Sequence, residues 1–125
     1  MKTVVPLRYG TAFKKGFSDP QVFTSFVKAV LDIEIEIDHV ETEKSFLKAV
    51  SPIGVRFDLF AEDKKNRLIV EIQHEHHADH YERFLYYHSA ALIEMKRSST
   101  DYRPPRTLYT IVVQTSSDID REDMV

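Results

Sequence analysis

The stretch Val55–Gln73, VRFDLFAEDKKNRLIVEIQ, decides how this chain is read. Apolar residues alternate in two runs: Val55, Phe57 and Leu59, then Leu68, Val70 and Ile72. Strand side chains alternate faces with a period of two, so strands are predicted over Val55–Phe60 and Leu68–Gln73. Asp58, Glu71 and Gln73 then project from the faces opposite those apolar sets. The link Asp63-Lys64-Lys65-Asn66 fits a four-residue hairpin loop. That loop pairs Glu62 with Arg67 and, at constant register, sets Asp58 directly opposite Glu71. Like charges placed so destabilise a sheet. A divalent cation is the simplest reason for them; two solvated acids on an exposed hairpin face are the ordinary alternative.

Around the hairpin the pattern is mixed. Ser18-Asp19-Pro20 offers a capping side chain followed by proline, and Val22, Phe23, Phe26, Val27, Val30 and Leu31 follow at helical spacing. They predict a helix over Pro20–Leu31. Before it, Phe13 and Phe17 sit four apart and fit a short helical face, with Lys14 and Lys15 solvated. The strict alternation of Ile33-Glu34-Ile35-Glu36-Ile37 predicts a half-buried strand. Glu41–Pro52 is open between a helical turn and an extension of that strand. Tyr81, Phe84, Leu85, His88, Ala91, Leu92 and Met95 predict an amphipathic helix over Ala78–Arg97. Leu108–Gln114 is rich in β-branched residues and predicts a buried strand. One domain over 1–115 is expected, with 116–125 as a polar tail that is frayed or marks a truncation point. The fold class is α/β, an α+β arrangement with a central mixed sheet flanked by helices.

Bulk properties exclude several classes. With 125 residues the chain makes one domain with a sizeable core. It has no cysteine, which rules out disulfides and thiolate metal sites. It has no long apolar run and no signal-peptide pattern, so a cytoplasmic, non-membrane protein is expected. The net charge of −3 does not advertise a nucleic-acid binder, although charge location matters more than the sum. His74, His76, His77 and His80 cluster at a strand-to-helix junction. The zincin spacing fails because position 78 is alanine, so the cluster reads as a solvated, pH-sensitive loop rather than a zinc site. His88 lies on the apolar helix stripe and reads as a core histidine.

Taken in order, several pieces resemble the PD-(D/E)XK nuclease superfamily, closest to its Rpn-like branch of transposases and recombination-promoting nucleases. The residues carrying the resemblance are Leu7-Arg8-Tyr9-Gly10-Thr11-Ala12-Phe13-Lys14-Lys15, Arg56-Phe57-Asp58-Leu59 and Val70-Glu71-Ile72-Gln73. Arg83, Tyr86-Tyr87-His88-Ser89 and Asp101-Tyr102 complete it. The resemblance implies a restriction-endonuclease-like αβββαβ core and metal-dependent cleavage of DNA phosphodiester bonds. Carried over by position, Asp58 and Glu71 would ligate the metal with the backbone carbonyl of Ile72, and Gln73 takes the place of the superfamily's lysine. Hard oxygen ligands imply Mg²⁺, with Mn²⁺ as substitute. DNA is the implied partner, and a homodimer is the family-level expectation for cutting both strands. Lys14, Lys15, Lys64, Lys65, Arg67 and Arg83 are candidate phosphate contacts, with a solvated surface position as the ordinary reading for most. A neutral amide at Gln73 implies a slower enzyme, unless Lys64, Lys65 or Arg83 supplies the cation. Two departures stand out. Gly10 replaces the acid often found in the family's Tyr-Asp-x-x-Phe-Lys context, and family members usually carry a further C-terminal region, which suggests a truncated gene or a fragment. The alternative function is a catalytically silent relative that binds DNA or oligomerises.

Overall fold

Three helices and four strands form in residues 10–46, 54–73, 80–97 and 105–114, the parts of the chain described by the computed structural model. In order they are α1 (Gly10–Phe17), α2 (Pro20–Leu31), β1 (Glu41–Lys44), β2 (Phe57–Glu62), β3 (Asn66–Gln73), α3 (His80–Lys96) and β4 (Thr107–Gln114). The sheet order is β1-β2-β3-β4. The first three strands run antiparallel, and β4 joins β3 in parallel after the crossover through α3. This mixed sheet with flanking helices is the α+β, restriction-endonuclease-like arrangement that the sequence predicts.

Capping chemistry sets α2. Asp19 accepts the amides of Gln21 and Val22 at 2.9 and 3.2 Å, and Pro20 follows at the first helical position. Asp32 closes the helix in a left-handed conformation with its N–H on the Lys28 carbonyl. α2 buries Phe23 and Val27, joined by Phe13 of α1, against Leu59, Ala61, Leu68, Val70, Ile72 and Ile111 on one face of the sheet. Each such aliphatic or aromatic side chain contributes roughly 1.5–3 kcal/mol on full burial. On the other face Phe57, Phe60 and Ile69 pack with Ala91 of α3, alongside Tyr87 and Leu108.

Three expectations are corrected. Ile33–Ile37 alternates in burial but forms no strand, and Glu41–Lys44 takes the sheet edge instead. Alternation reports which side faces the core and says nothing of a pairing partner. The amide of Glu36 goes to the Asp63 carboxylate, and Ile35 and Ile37 fill the core from an extended loop. Second, Phe57 and Leu59 pack into different clusters, so the period of two breaks at Asp58. Third, Tyr81 and Leu85 are 73% and 52% exposed; the sheet-facing side of α3 carries Tyr87, Ala91 and Met95. The expected tail at 116–125 lies outside the described residues.

Arg67 is no phosphate contact. It is 5% exposed and bonds Glu62, Glu94 and the Ala91 carbonyl at 2.8–2.9 Å, tying β2 and β3 to α3. Its guanidinium lies over the rings of Phe46 and Phe60. Removing it leaves the buried Ala91 carbonyl and the half-buried Glu62 and Glu94 without their partner, at roughly 1–3 kcal/mol for each buried group left unsatisfied; losing a helix cap costs about 1 kcal/mol. In urea unfolding, Arg67→Ala is therefore expected to lose clearly more stability than Asp19→Ala. The reverse ranking would show that Arg67 is not the clamp between α3 and the sheet.

Candidate functional site

The hairpin register runs as counted from the sequence, Glu62↔Arg67 through Leu59↔Val70, and stops there. The next pair, Asp58 with Glu71, forms no regular bridge. Each carboxylate instead takes a backbone amide of the opposite strand. Asp58 N–H donates to Glu71 Oε2 at 2.7 Å, and Ile72 N–H donates to Asp58 Oδ2 at 2.8 Å. The second oxygen of each acid is not used in these bonds. The Ile72 carbonyl leaves β3 on the same edge as its N–H, toward the opening between the strands.

Burial makes this pair unusual. β3 is a central strand covered on both faces, so Glu71 and Gln73 are only 4% and 5% exposed. The alternative of two solvated acids on an open face fails at Glu71, which is buried on the α3-facing side of β3, whereas Asp58 is half-buried beside Lys14. Burial, the largest influence, pushes the Glu71 carboxyl up to about 8; the nearby Asp58 charge adds to the rise. The Asp58 amide and the charges of Arg83 and Lys14 pull the other way.

Cations converge from two elements. Arg83 of α3 donates to Gln73 Oε1. Lys14 of α1 approaches Asp58 Oδ1 at 3.3 Å and is hydrogen-bonded to Glu43 of β1. Burial works against the Lys14 charge, but these two carboxylates raise its pKa above the usual lysine value. Glu43 also pairs with Arg56 at 3.4 Å and sits at φ 53, a left-handed conformation in a residue with a side chain.

Lys14 is thus not the solvated residue expected, whereas Lys15 is exposed. Lys64 and Lys65 are exposed in the hairpin loop, at the opposite end of β2 and β3 from Asp58 and Glu71. The structure does not bring them to the acids. His88 is half-buried with its Nδ1 2.8 Å from Thr110 Oγ1, which joins α3 to β4. His74, His76 and His77 lie outside the described residues, as do Asp101 and Tyr102. Sequence reasoning missed Glu43. No periodicity marks it, and only the positive φ, invisible before folding, singles it out.

Among the described residues no group of three or more His, Asp or Glu side chains is placed to hold a metal ion. Two carboxylates are hard oxygen donors of the kind that divalent cations take, with waters or substrate oxygens for the remaining positions.

A family model for PD-(D/E)XK nuclease family transposases matches residues 10–124. The chain belongs to that family. No curated protein and no solved structure gives a significant match. PD-(D/E)XK nucleases generally use divalent metals, in keeping with the hard oxygen atoms at the end of this hairpin. Among the described residues no helix is long and apolar enough to cross a membrane.

Because the native Glu71 carboxyl keeps its proton up to about pH 8, and an unfolded glutamate releases it near 4.5, the folded state binds more protons between those values. This group's stabilising contribution is complete below the lower value and is lost as pH rises through the upper one. Glu71→Gln keeps an acceptor for Asp58 N–H without ionising. Metal-free melting curves are expected to show this variant gaining on the wild type as pH rises from 5 toward 8 (~3 units). Parallel pH profiles for the two proteins would rule out a buried acid at this position.

Proposed function

We propose that the chain is a divalent-metal-dependent DNA endonuclease of the transposase or recombination-promoting type. The observation that carries this is the crossed pair of carboxylates where β2 and β3 part, in a chain of this nuclease family. Asp58, Glu71 and the Ile72 carbonyl would hold Mg²⁺ or Mn²⁺. Such an ion activates water and offsets charge on phosphoryl oxygens.

The protein's own contribution is positional. The backbone bonds fix one oxygen of each acid and so fix the direction of the other. Gln73 is oriented by Arg83 and can offer a neutral amide to water or phosphate. Lys15, exposed on α1, is a candidate contact for the DNA backbone, as is Arg83. One site cuts one strand, so cleavage of a duplex through both strands would take a second copy. The silent-relative reading draws on position 73, where a neutral amide replaces an ammonium.

Plasmid nicking in Mg²⁺ or Mn²⁺ separates the two readings. The wild type is expected to convert supercoiled to open-circular DNA, with EDTA abolishing the reaction. Asp58→Ala and Glu71→Ala are expected to lose at least roughly 10²-fold in rate, as for removal of a group that stabilises developing charge. A wild type that binds DNA without cutting it supports the silent relative; variants that cut as fast as the wild type refute the assignment of these acids.

A further inference from the structure

We propose that Lys14 is the site's catalytic cation: its ammonium contacts the phosphodiester being cut and supplies the positive charge absent from position 73. This rests on the nuclease reading and deepens it. Four observations carry it.

First, Lys14 Nζ lies 3.3 Å from Asp58 Oδ1, the oxygen left over when Asp58 Oδ2 accepts the Ile72 amide. The ammonium therefore sits on the carboxylate oxygen that the Ile72 amide leaves over. Second, the Lys14 charge is felt at Glu71 as well, so it addresses both acids. Third, Lys14 is held in place. Glu43 binds it from β1, and Glu43 does so from a left-handed backbone conformation that costs ~1–2 kcal/mol for a residue other than glycine. Strain of this sort persists where surrounding structure enforces it and gathers at functional sites. Fourth, Lys14 and Glu43 line an open cleft of about 340 Å³ with Lys15, Ser18 and Thr42. A strand of DNA following that cleft meets Lys14, whose ammonium is also the partner of Asp58.

Among the described residues no other cation forms an ion pair with Asp58 or Glu71. Arg83 is engaged with Gln73, Arg56 pairs with Glu43 from a largely exposed position, and Lys64 and Lys65 sit at the far end of the hairpin. In hydrolysis the water oxygen bonds to phosphorus and the bond to the leaving sugar oxygen breaks. One water proton ends on that leaving oxygen, and the other is released from the new phosphate monoester. Lys14 keeps its protons throughout and acts by charge alone, on the oxygens where negative charge grows.

The test uses the full chain with Lys14→Ala, Lys14→Gln and Lys14→Arg, and Lys28→Ala as a control on the outer side of α2. Three quantities are read: single-turnover plasmid cleavage in Mn²⁺, duplex affinity in Ca²⁺, and Mn²⁺ affinity from the free-ion electron paramagnetic resonance signal. Lys14→Ala and Lys14→Gln are expected to cut roughly 10²-fold more slowly, the loss typical of one charge-stabilising donor. They should bind duplex nearly as well as the wild type and hold Mn²⁺ as tightly or more so, since a competing cation has gone. Lys14→Arg, which keeps the charge, is expected to retain most of the rate. If Lys14→Ala and Lys14→Gln cut at the wild-type rate or faster, Lys14 is a spectator or a plug, and the inference falls while the nuclease reading stands. The inference also falls if their duplex affinity drops as far as their rate, because Lys14 is then a simple phosphate clamp. A wild type that cuts nothing, with Mn²⁺ present, removes the nuclease reading and this inference together.

Discussion

The interaction on which the rest depends is the exchange between two strands that stop pairing. Beyond Leu59↔Val70 a regular ladder would go on pairing the backbones of the two strands. Here the carboxylates of Asp58 and Glu71 each reach across to an amide of the other strand. The backbone donors remain satisfied, and the strands can separate without leaving orphaned amides. The same exchange turns β2, so that Phe57 moves to the α3 side while Leu59 stays under α2. One pair of side chains thus stands where the β2–β3 ladder ends and where β2 changes the face it presents.

The α3-facing side of β3 holds buried polar groups whose surroundings differ. Arg67, Glu71 and Gln73 share that side with Ile69, and all three polar residues are buried. Arg67 is surrounded by two carboxylates, a carbonyl and two aromatic rings, so its charge is fully answered. Glu71 has one amide and more distant cations, and burial wins: its carboxyl titrates near 8. A fully satisfied buried charge rigidifies a fold; a buried carboxyl with a strongly raised pKa marks a candidate site.

The sequence carried the hairpin register because the loop has few ways to close, although it is one residue shorter than expected, since Asn66 already belongs to β3. Asp63 bonds the amides of Lys65 and Asn66 at 2.8 and 2.7 Å, which is turn chemistry local to the chain. The same locality made α2 readable through Asp19 and Pro20. What escaped was set by tertiary contact. Ile33–Ile37 has the pattern of a strand and lacks a strand partner. Glu71 looks solvated on a hairpin and is buried once α3 crosses over it. Lys14 looks like an ordinary surface lysine until β1 brings Glu43 beside it. The acids could be named from the sequence, but the surroundings that give them their properties could not.

Glutamine at position 73 follows from those surroundings. The residue is 5% exposed, close to Arg83, whose guanidinium already reaches it. A lysine there would place a second positive charge beside the first in a poorly solvated pocket. Burying an ammonium without a full set of partners costs several kcal/mol, and a like charge nearby adds to it. Glutamine avoids both penalties and still accepts from Arg83. On α1 the balance reverses. Lys14 keeps part of its surface in water and has Glu43 and Asp58 as partners, so a protonated amine is stable there. The fold therefore tolerates a cation on the α1 side of the carboxylates far better than on the β3 side, and this asymmetry would locate the catalytic charge on the helix rather than on the strand.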